Sequence, residues 1–169
     1  MKYFNQLEPD SLVQLFIDYP PENFTISETE THVITFVTVF DLMTTMDSET
    51  QKKLHKKWLF KYWSKWFKVK TEFVGTTVSE YLLLKNYRDP AALAQTIIHS
   101  YNEEYPMLVV KDVPLNSPFL TDSQNDYSKG LAEELLQNDF IEIEGQALAY
   151  VPIDFESIDD YFERFSRSR

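Results

Sequence analysis

Three histidines, three isolated glycines and no cysteine set the limits on what this sequence can do chemically. The missing cysteine removes a thiol nucleophile, a disulfide scaffold, a thiolate zinc site and an iron–sulfur cluster together. His32 lies just before an apolar run, and His55 lies in a lysine-rich stretch. In a helix His99 would sit roughly 200° from the inward Ile97, so it is expected to face solvent. None has a second histidine or a carboxylate at ligand spacing, so no metal site is predicted. There is no G-x-S-x-G elbow to expose a serine nucleophile. Phosphate-cradling loops need closely spaced glycines, and Gly75, Gly130 and Gly145 stand far apart. No nucleotide or coenzyme A site can therefore be written into this chain. The Glu142/Glu144 pair reads as the solvent face of a strand. Asp112 and Asp122, beside loops, are better placed to meet a ligand.

Charge gives a sharper signal. The net charge of −11 argues against general nucleic-acid binding, and DNA is not an expected partner. Yet Lys52 to Lys70 holds eight lysines and no acid, so that stretch is +8 and the remainder is −19 (−11 minus +8). From Asp122 to Glu163 acids far outnumber bases. A basic element on an acidic body marks a place for an anion, or for the protein's own acidic part. Asp47 or Ser48 is expected to open a long helix from Glu49 to about Phe67. At about 100° per residue, Lys53, Lys57, Lys61, Ser64 and Lys68 share one stripe. Leu54, Trp58, Tyr62, Trp63, Trp66 and Phe67 occupy the opposite side.

Lys53, Lys57, Lys61 and Lys68 are thus the candidate anion-binding residues. They could face lipid headgroups from an interfacial helix, or the phosphates of RNA or a nucleotide-linked substrate. Amphipathic helices are more often surface helices of a core, with the aromatics on the sheet and the lysines in water. That reading ranks ahead of a membrane surface.

These residues must be carried by elements the sequence also announces. Asp10 or Ser11 can cap a short helix with Leu12, Leu15, Phe16 and Tyr19 as its apolar face, ended by Pro20-Pro21. Val33 to Phe40 is apolar on both alternating faces, as in a strand buried on both sides. Phe73 to Leu84 suggests a strand bent or bulged at Gly75. Asp89-Pro90 is a cap followed by proline at the first helical position, with Leu93, Ile97 and Tyr101 facing inward. Met107 to Val110 is a short strand leading into a loop through Pro114 and Pro118. Asn125 or Asp126 can cap a helix burying Tyr127, Leu131 and Leu135. Ile141 to Asp154 reads as a hairpin turning at Gly145-Gln146. Ser157-x-x-Asp160 opens a last helix, with Ile158, Tyr161, Phe162 and Phe165 as its apolar stripe and Arg164, Arg167 and Arg169 at its end.

Strands alternate with helices, so the fold class is α/β. The chain of 169 residues is one domain's worth, long enough to bury roughly 70% of its unfolded surface. No signal-peptide pattern and no apolar run of about 18–20 residues is present. A cytoplasmic protein is expected, with the Asn23-Phe24-Thr25 sequon fortuitous.

Three stretches look like one family. They are Phe73-Val74-Gly75-Thr76-Thr77-Val78-Ser79-Glu80-Tyr81, then Leu108-Val109-Val110-Lys111-Asp112-Val113-Pro114 with Ser117-Pro118, and Glu144-Gly145-Gln146-Ala147-Leu148-Ala149-Tyr150-Val151-Pro152-Ile153-Asp154-Phe155. Together with Phe40-Asp41-Leu42-Met43-Thr44-Thr45 they resemble bacterial proteins of the GNAT superfamily, in a branch akin to the Fem-type peptidoglycan aminoacyl transferases. The resemblance covers essentially the whole chain. It implies a GNAT-like mixed sheet with helices on both faces, one domain of a two-half protein. Residues 1–155 would form the N-terminal half, and 156–169 a helix opening a basic connector to a second half. The first half would shape one wall of a substrate groove, and the second would hold the acyl donor, acetyl-coenzyme A or an aminoacyl-tRNA. No cofactor and no catalytic residue are then expected in this chain. The matched polar positions Ser79, Glu80, Lys111, Asp112, Ser117 and Gln146 are its substrate-groove candidates. The implied partners are the second half and a small-molecule or peptidoglycan-precursor substrate.

Overall fold

The apolar run after His32 becomes a central strand of a mixed sheet. The computed structural model describes residues 3–28, 33–57, 60–85, 89–101, 104–145 and 148–164. Among these, β1 (Thr25–Glu28), β2 (Ile34–Asp41), β3 (Lys68–Val74) and β4 (Met107–Val110) lie side by side in chain order. The first two pairings are antiparallel and β3–β4 is parallel. A parallel neighbour needs a crossover, and α4 (Pro90–Ser100) supplies it. The other helices are α1 (Asp10–Asp18), α2 (Ser48–His55), α3 (Phe60–Trp63), α5 (Asp122–Gln137) and α6 (Ile158–Glu163).

Alternation along the strands divides the core between two faces. Ile34, Phe36 and Phe73 point toward Val13 and Phe16 of α1, with Tyr3 and Leu83 completing that cluster. Val33 and Val74 point the other way, onto Leu93, Ala94 and Ile97 of α4 and Leu131 and Leu135 of α5. The sheet therefore carries helices on both faces, as an α/β fold should. Stacking of Phe36 on Phe73, with ring centroids 4.9 Å apart, ties β2 to β3 within the α1-side cluster.

Local signals are realised where cap chemistry is unambiguous. The Asp89 side chain accepts from the Ala91 amide at 3.0 Å, with Pro90 at the first position of α4. Ser157 and Asp160 form the reciprocal capping box of α6. The α5 cap lies earlier than expected: Thr121 takes the role with Gln124, and Asn125 is inside the helix. On α1 the buried residues are Val13 and Phe16, while Leu12, Leu15 and Tyr19 are exposed.

Three further expectations give way. β3 ends at Val74, just before Gly75, which has φ +135°. Leu82, Leu83 and Leu84 are buried, yet they pair with the N-terminal segment rather than continue the strand. Phe4 N–H donates to Leu84 O, and the Asn5 side chain bridges Leu82 O (2.6 Å) and Leu84 N (2.8 Å). The described residues of the hairpin expected over 141–154 form no strand. They are irregular, with Ile141, Ile143 and Ile153 each more than four-fifths exposed, at 84%, 83% and 85%. Two strands alone are marginal in water, and Pro152 removes a donor. Gln146 of the expected turn and Ala147 after it lie outside the described residues, as does everything beyond Arg164.

The long lysine helix also breaks. α2 ends at His55, α3 is a single turn, a 3₁₀ turn covers Ser64–Phe67, and Lys68 is the first residue of β3, opposite Asp41. Lysines four apart, such as Lys53/Lys57 and Lys57/Lys61, put like charges on neighbouring turns and oppose a continuous helix. Three-residue turns take over at Lys57 N–H to Leu54 O and Phe60 N–H to Lys57 O.

Candidate functional site

Parallel strands offer a site beyond their carboxyl ends, where the connecting loops converge. Here two loops leave Val74 and Val110, which are partners in the β3–β4 register. Gly75 turns the first loop, and Asp112, with φ +55°, turns the second. A Cβ on Gly75 would stand 3.4 Å from Lys111 Cβ, an ordinary contact, so it is the φ of +135° that suits glycine there. Lys111 N–H donates to Val74 O at 3.0 Å, and Leu82 N–H donates to Asp112 O at 2.9 Å.

This end of the sheet gathers Ser79 and Glu80 from the first loop with Lys111, Asp112 and Ser117 from the second. Gln146 lies outside the described residues. Ser79 is buried, and its hydroxyl donates to Glu8 Oε2 at 2.9 Å. Glu8 Oε1 accepts from the Glu80 amide at 2.9 Å, so one carboxylate clamps two consecutive loop residues. The Ser117 hydroxyl shares a 2.5 Å hydrogen bond with the buried Tyr81 hydroxyl and accepts from Phe119 N–H at 3.1 Å. Asn125 grips the same loop from α5, accepting from Ser117 N–H (2.8 Å) and donating to Ser117 O (3.0 Å). Lys111 and Asp112 form an ion pair at the surface.

Chemically, both serine hydroxyls are already committed to the scaffold. Among the described residues neither hydrogen-bonds to an imidazole that could act as its base. What remains open is a groove of about 630 Å³ lined by Leu115, Asn116, Asp122, Asn125, Asp126 and Lys129. It can present carboxylates, an amide and one ammonium to a polar ligand. Sequence reasoning singled out Asp122 but not Glu8, Tyr81 or Asn125. Glu8 sits 71 residues from Ser79 with no local motif to mark it. Among the described residues no group of three His, Cys, Asp or Glu could hold a metal ion. None of their helices is long and apolar enough to cross a membrane.

The candidate lysines are not one stripe. Lys53 is exposed on α2, 3.8 Å from Glu49; Lys57 is exposed beyond that helix; Lys68 is exposed on β3; the side chain of Lys61 lies outside the described residues. The aromatic face is divided too. Tyr62 and Trp66 are 77% and 83% exposed and do not pack on the sheet, while Phe60 and Phe67 are half-buried. His55 lies against Phe60 with ring centroids 4.5 Å apart and the planes tilted, and His99 is exposed with Nδ1 2.6 Å from Gln95 O. Trp58 and the side chain of Trp63 lie outside the described residues.

Asp47, the α2 cap, is held below the usual carboxylate range by hydrogen bonds from the Thr50 side chain and amide. Asp154 is lowered by its hydrogen bond from Arg164 Nη1, 2.6 Å away. Neither group belongs to the converging loops. Comparison with protein-family models, with curated proteins and with solved structures finds no match to this chain.

Proposed function

We propose that this chain is the groove-shaping half of an acyl- or aminoacyltransferase-like protein, acting on an amine of a small-molecule or cell-envelope precursor together with a second half. The observation that supports it is the convergence of Ser79, Glu80, Lys111, Asp112 and Ser117 at the carboxyl ends of β3 and β4. These are the polar positions through which the chain resembles the GNAT and Fem-type proteins. Acyl transfer to an amine works mainly by placement and by backbone N–H groups that stabilise the developing oxyanion. A rim of pinned loops with few special side chains suits that task. The acyl donor, acetyl-coenzyme A or aminoacyl-tRNA, belongs on this reading to the second half. The test is amide chemical-shift mapping with a peptidoglycan-precursor amine and, separately, acetyl-coenzyme A. The precursor should shift residues 75–81 and 111–117, and acetyl-coenzyme A should shift nothing. Shifts confined to 52–70, or tight coenzyme binding, would sink the proposal.

A second reading has its own observation. The exposure of Tyr62 and Trp66 among lysines supports a binding module that meets an anionic partner through residues 52–70. Replacing Lys53, Lys57 and Lys68 by Glu should abolish salt-sensitive binding to an anionic partner; unchanged binding would remove this reading.

A further inference from the structure

Two surfaces of this molecule are apolar, strongly charged and opposite in sign. Residues 52–70 carry eight lysines and no acid; residues 139–164 carry eight acids and one arginine. The first exposes Tyr62 and Trp66, four residues apart, and the second exposes Ile141, Ile143, Val151 and Ile153. Large apolar side chains left exposed within two short, highly charged stretches point to interaction surfaces.

We propose that residues 139–164 of one copy dock on the arm, residues 52–70, of a second copy, in a head-to-tail contact. The pairing rests on the arm as an anion-binding surface and goes beyond it by naming the anion. Placement within one copy keeps the middle of the acidic segment away from the arm. The arm runs into the amino end of β3, whereas Tyr150, in the middle of the acidic segment, is held with its ring 4.7 Å from Phe119, beyond the carboxyl end of β4. Since β3 and β4 are parallel, those are opposite ends of the sheet. Among the described residues each surface meets opposite charge only locally, Lys53 with Glu49 and Arg164 with Asp154. The isoleucines would cover the Tyr62 and Trp66 rings, with Glu142, Glu144 and Asp154 toward the lysines. Complementary charge sets register and speeds encounter, while the apolar contact holds the complex. A nucleic acid or an anionic membrane on the arm would leave Ile141 to Ile153 in water. A second copy accounts for both surfaces. The contact is heterologous, closing as a ring or growing as a chain.

Sedimentation velocity on the full chain tests this, from about 1 to 200 μM in about 50 mM and about 500 mM salt, a range that shortens the screening length severalfold. Concentration-dependent association that weakens at least about tenfold in high salt is expected. An arm variant (Tyr62→Ser, Trp66→Ser, Lys65→Glu) and a segment variant (Ile141→Ser, Ile143→Ser, Glu142→Lys) should each be monomeric, because each has lost one half of the contact. Mixed together they should form a heterodimer that stops at one-to-one, since one arm and one segment remain intact. Circular dichroism checks that both are folded, and Glu142→Lys with Glu144→Lys alone repeats the test without touching an apolar residue. A monomer at every concentration overturns the pairing, as does association that survives the arm variant or a mixture that does not combine. If the monomeric chain instead binds phosphatidylserine vesicles or an RNA oligonucleotide through the arm lysines, the pairing falls and the anion-binding reading stands. If it binds neither, both fall.

Discussion

The two ends of β3 are built on opposite plans. At its carboxyl end the side chains of Glu8, Ser79, Tyr81, Ser117 and Asn125 are spent on holding loops to one another. At its amino end the chain breaks into short turns and leaves Tyr62, Trp66 and a series of lysines in solvent. Buried polar groups need partners, and the first end supplies them from distant parts of the chain. Exposed lysines need none, and the second end keeps its charge unspent. Rigidity thus collects where five candidate groove residues converge, and unsatisfied potential collects where a partner would have to arrive.

Substitutions should separate the two ends by size of effect. The most severe should be Asn5→Ala, which strips hydrogen bonds from Leu82 O and Leu84 N inside the core. Leaving both unsatisfied should cost about 2–4 kcal/mol, read by urea unfolding. A loss within error would mean that the pinned end is not a stability element. Next is Gly75→Ala, where φ of +135° strains any side chain; about 1–3 kcal/mol is expected, seen as a lowered thermal midpoint. Tyr81→Phe removes the hydroxyl bonded to Ser117. It should cost about 1–2 kcal/mol, with faster amide exchange at Ser117 and Phe119 as its local signature. By contrast, Tyr62→Ser with Trp66→Ser should change stability by less than about 0.5 kcal/mol. If that pair destabilises as much as Tyr81→Phe, the arm is core and the contrast collapses.

The smallest effect should be one of pH. Because Arg164 lowers the Asp154 carboxyl below its usual value of 3.8, the contribution is fully present above that value and is lost as pH falls through the folded value. Loss of α6 helicity on acidification should disappear in Asp154→Asn, as followed by NMR.

How far this was legible follows from where each signal resides. Asp89-Pro90 and Ser157-x-x-Asp160 carry their structural meaning within four residues, so their helices could be read directly. Val33 to Phe40 announced a strand buried on both faces because only Thr35 and Thr38 interrupt its apolar run, and the burial holds from Val33 to Val37. At Val39 the same pattern continues but the residue is exposed. The lysine stripe misled because periodicity is blind to repulsion between Lys53 and Lys57. The hairpin over 141–154 misled because alternation cannot say whether a neighbouring strand is there to receive it. Leu82 to Leu84 looked like strand because the residues that satisfy its backbone, Phe4 and Asn5, lie almost half the chain away. The converging loops were marked through resemblance and, for Asp112, by its place beside a loop, whereas Glu8 has no signal outside the folded state.

The Asn5 bridge also bears on how the molecule is made. It joins residues 77 and 79 positions apart, so the segment around Asn5 cannot find its place until Leu84 has been made. Until then Tyr3 and Phe4 travel as an unburied aromatic pair. Contacts of such long sequence separation slow folding, because the loop must close before it is rewarded. The N-terminal segment should therefore dock late, as the latch on an otherwise assembled sheet. A chaperone bound to those first residues would delay closure without altering the strands beneath.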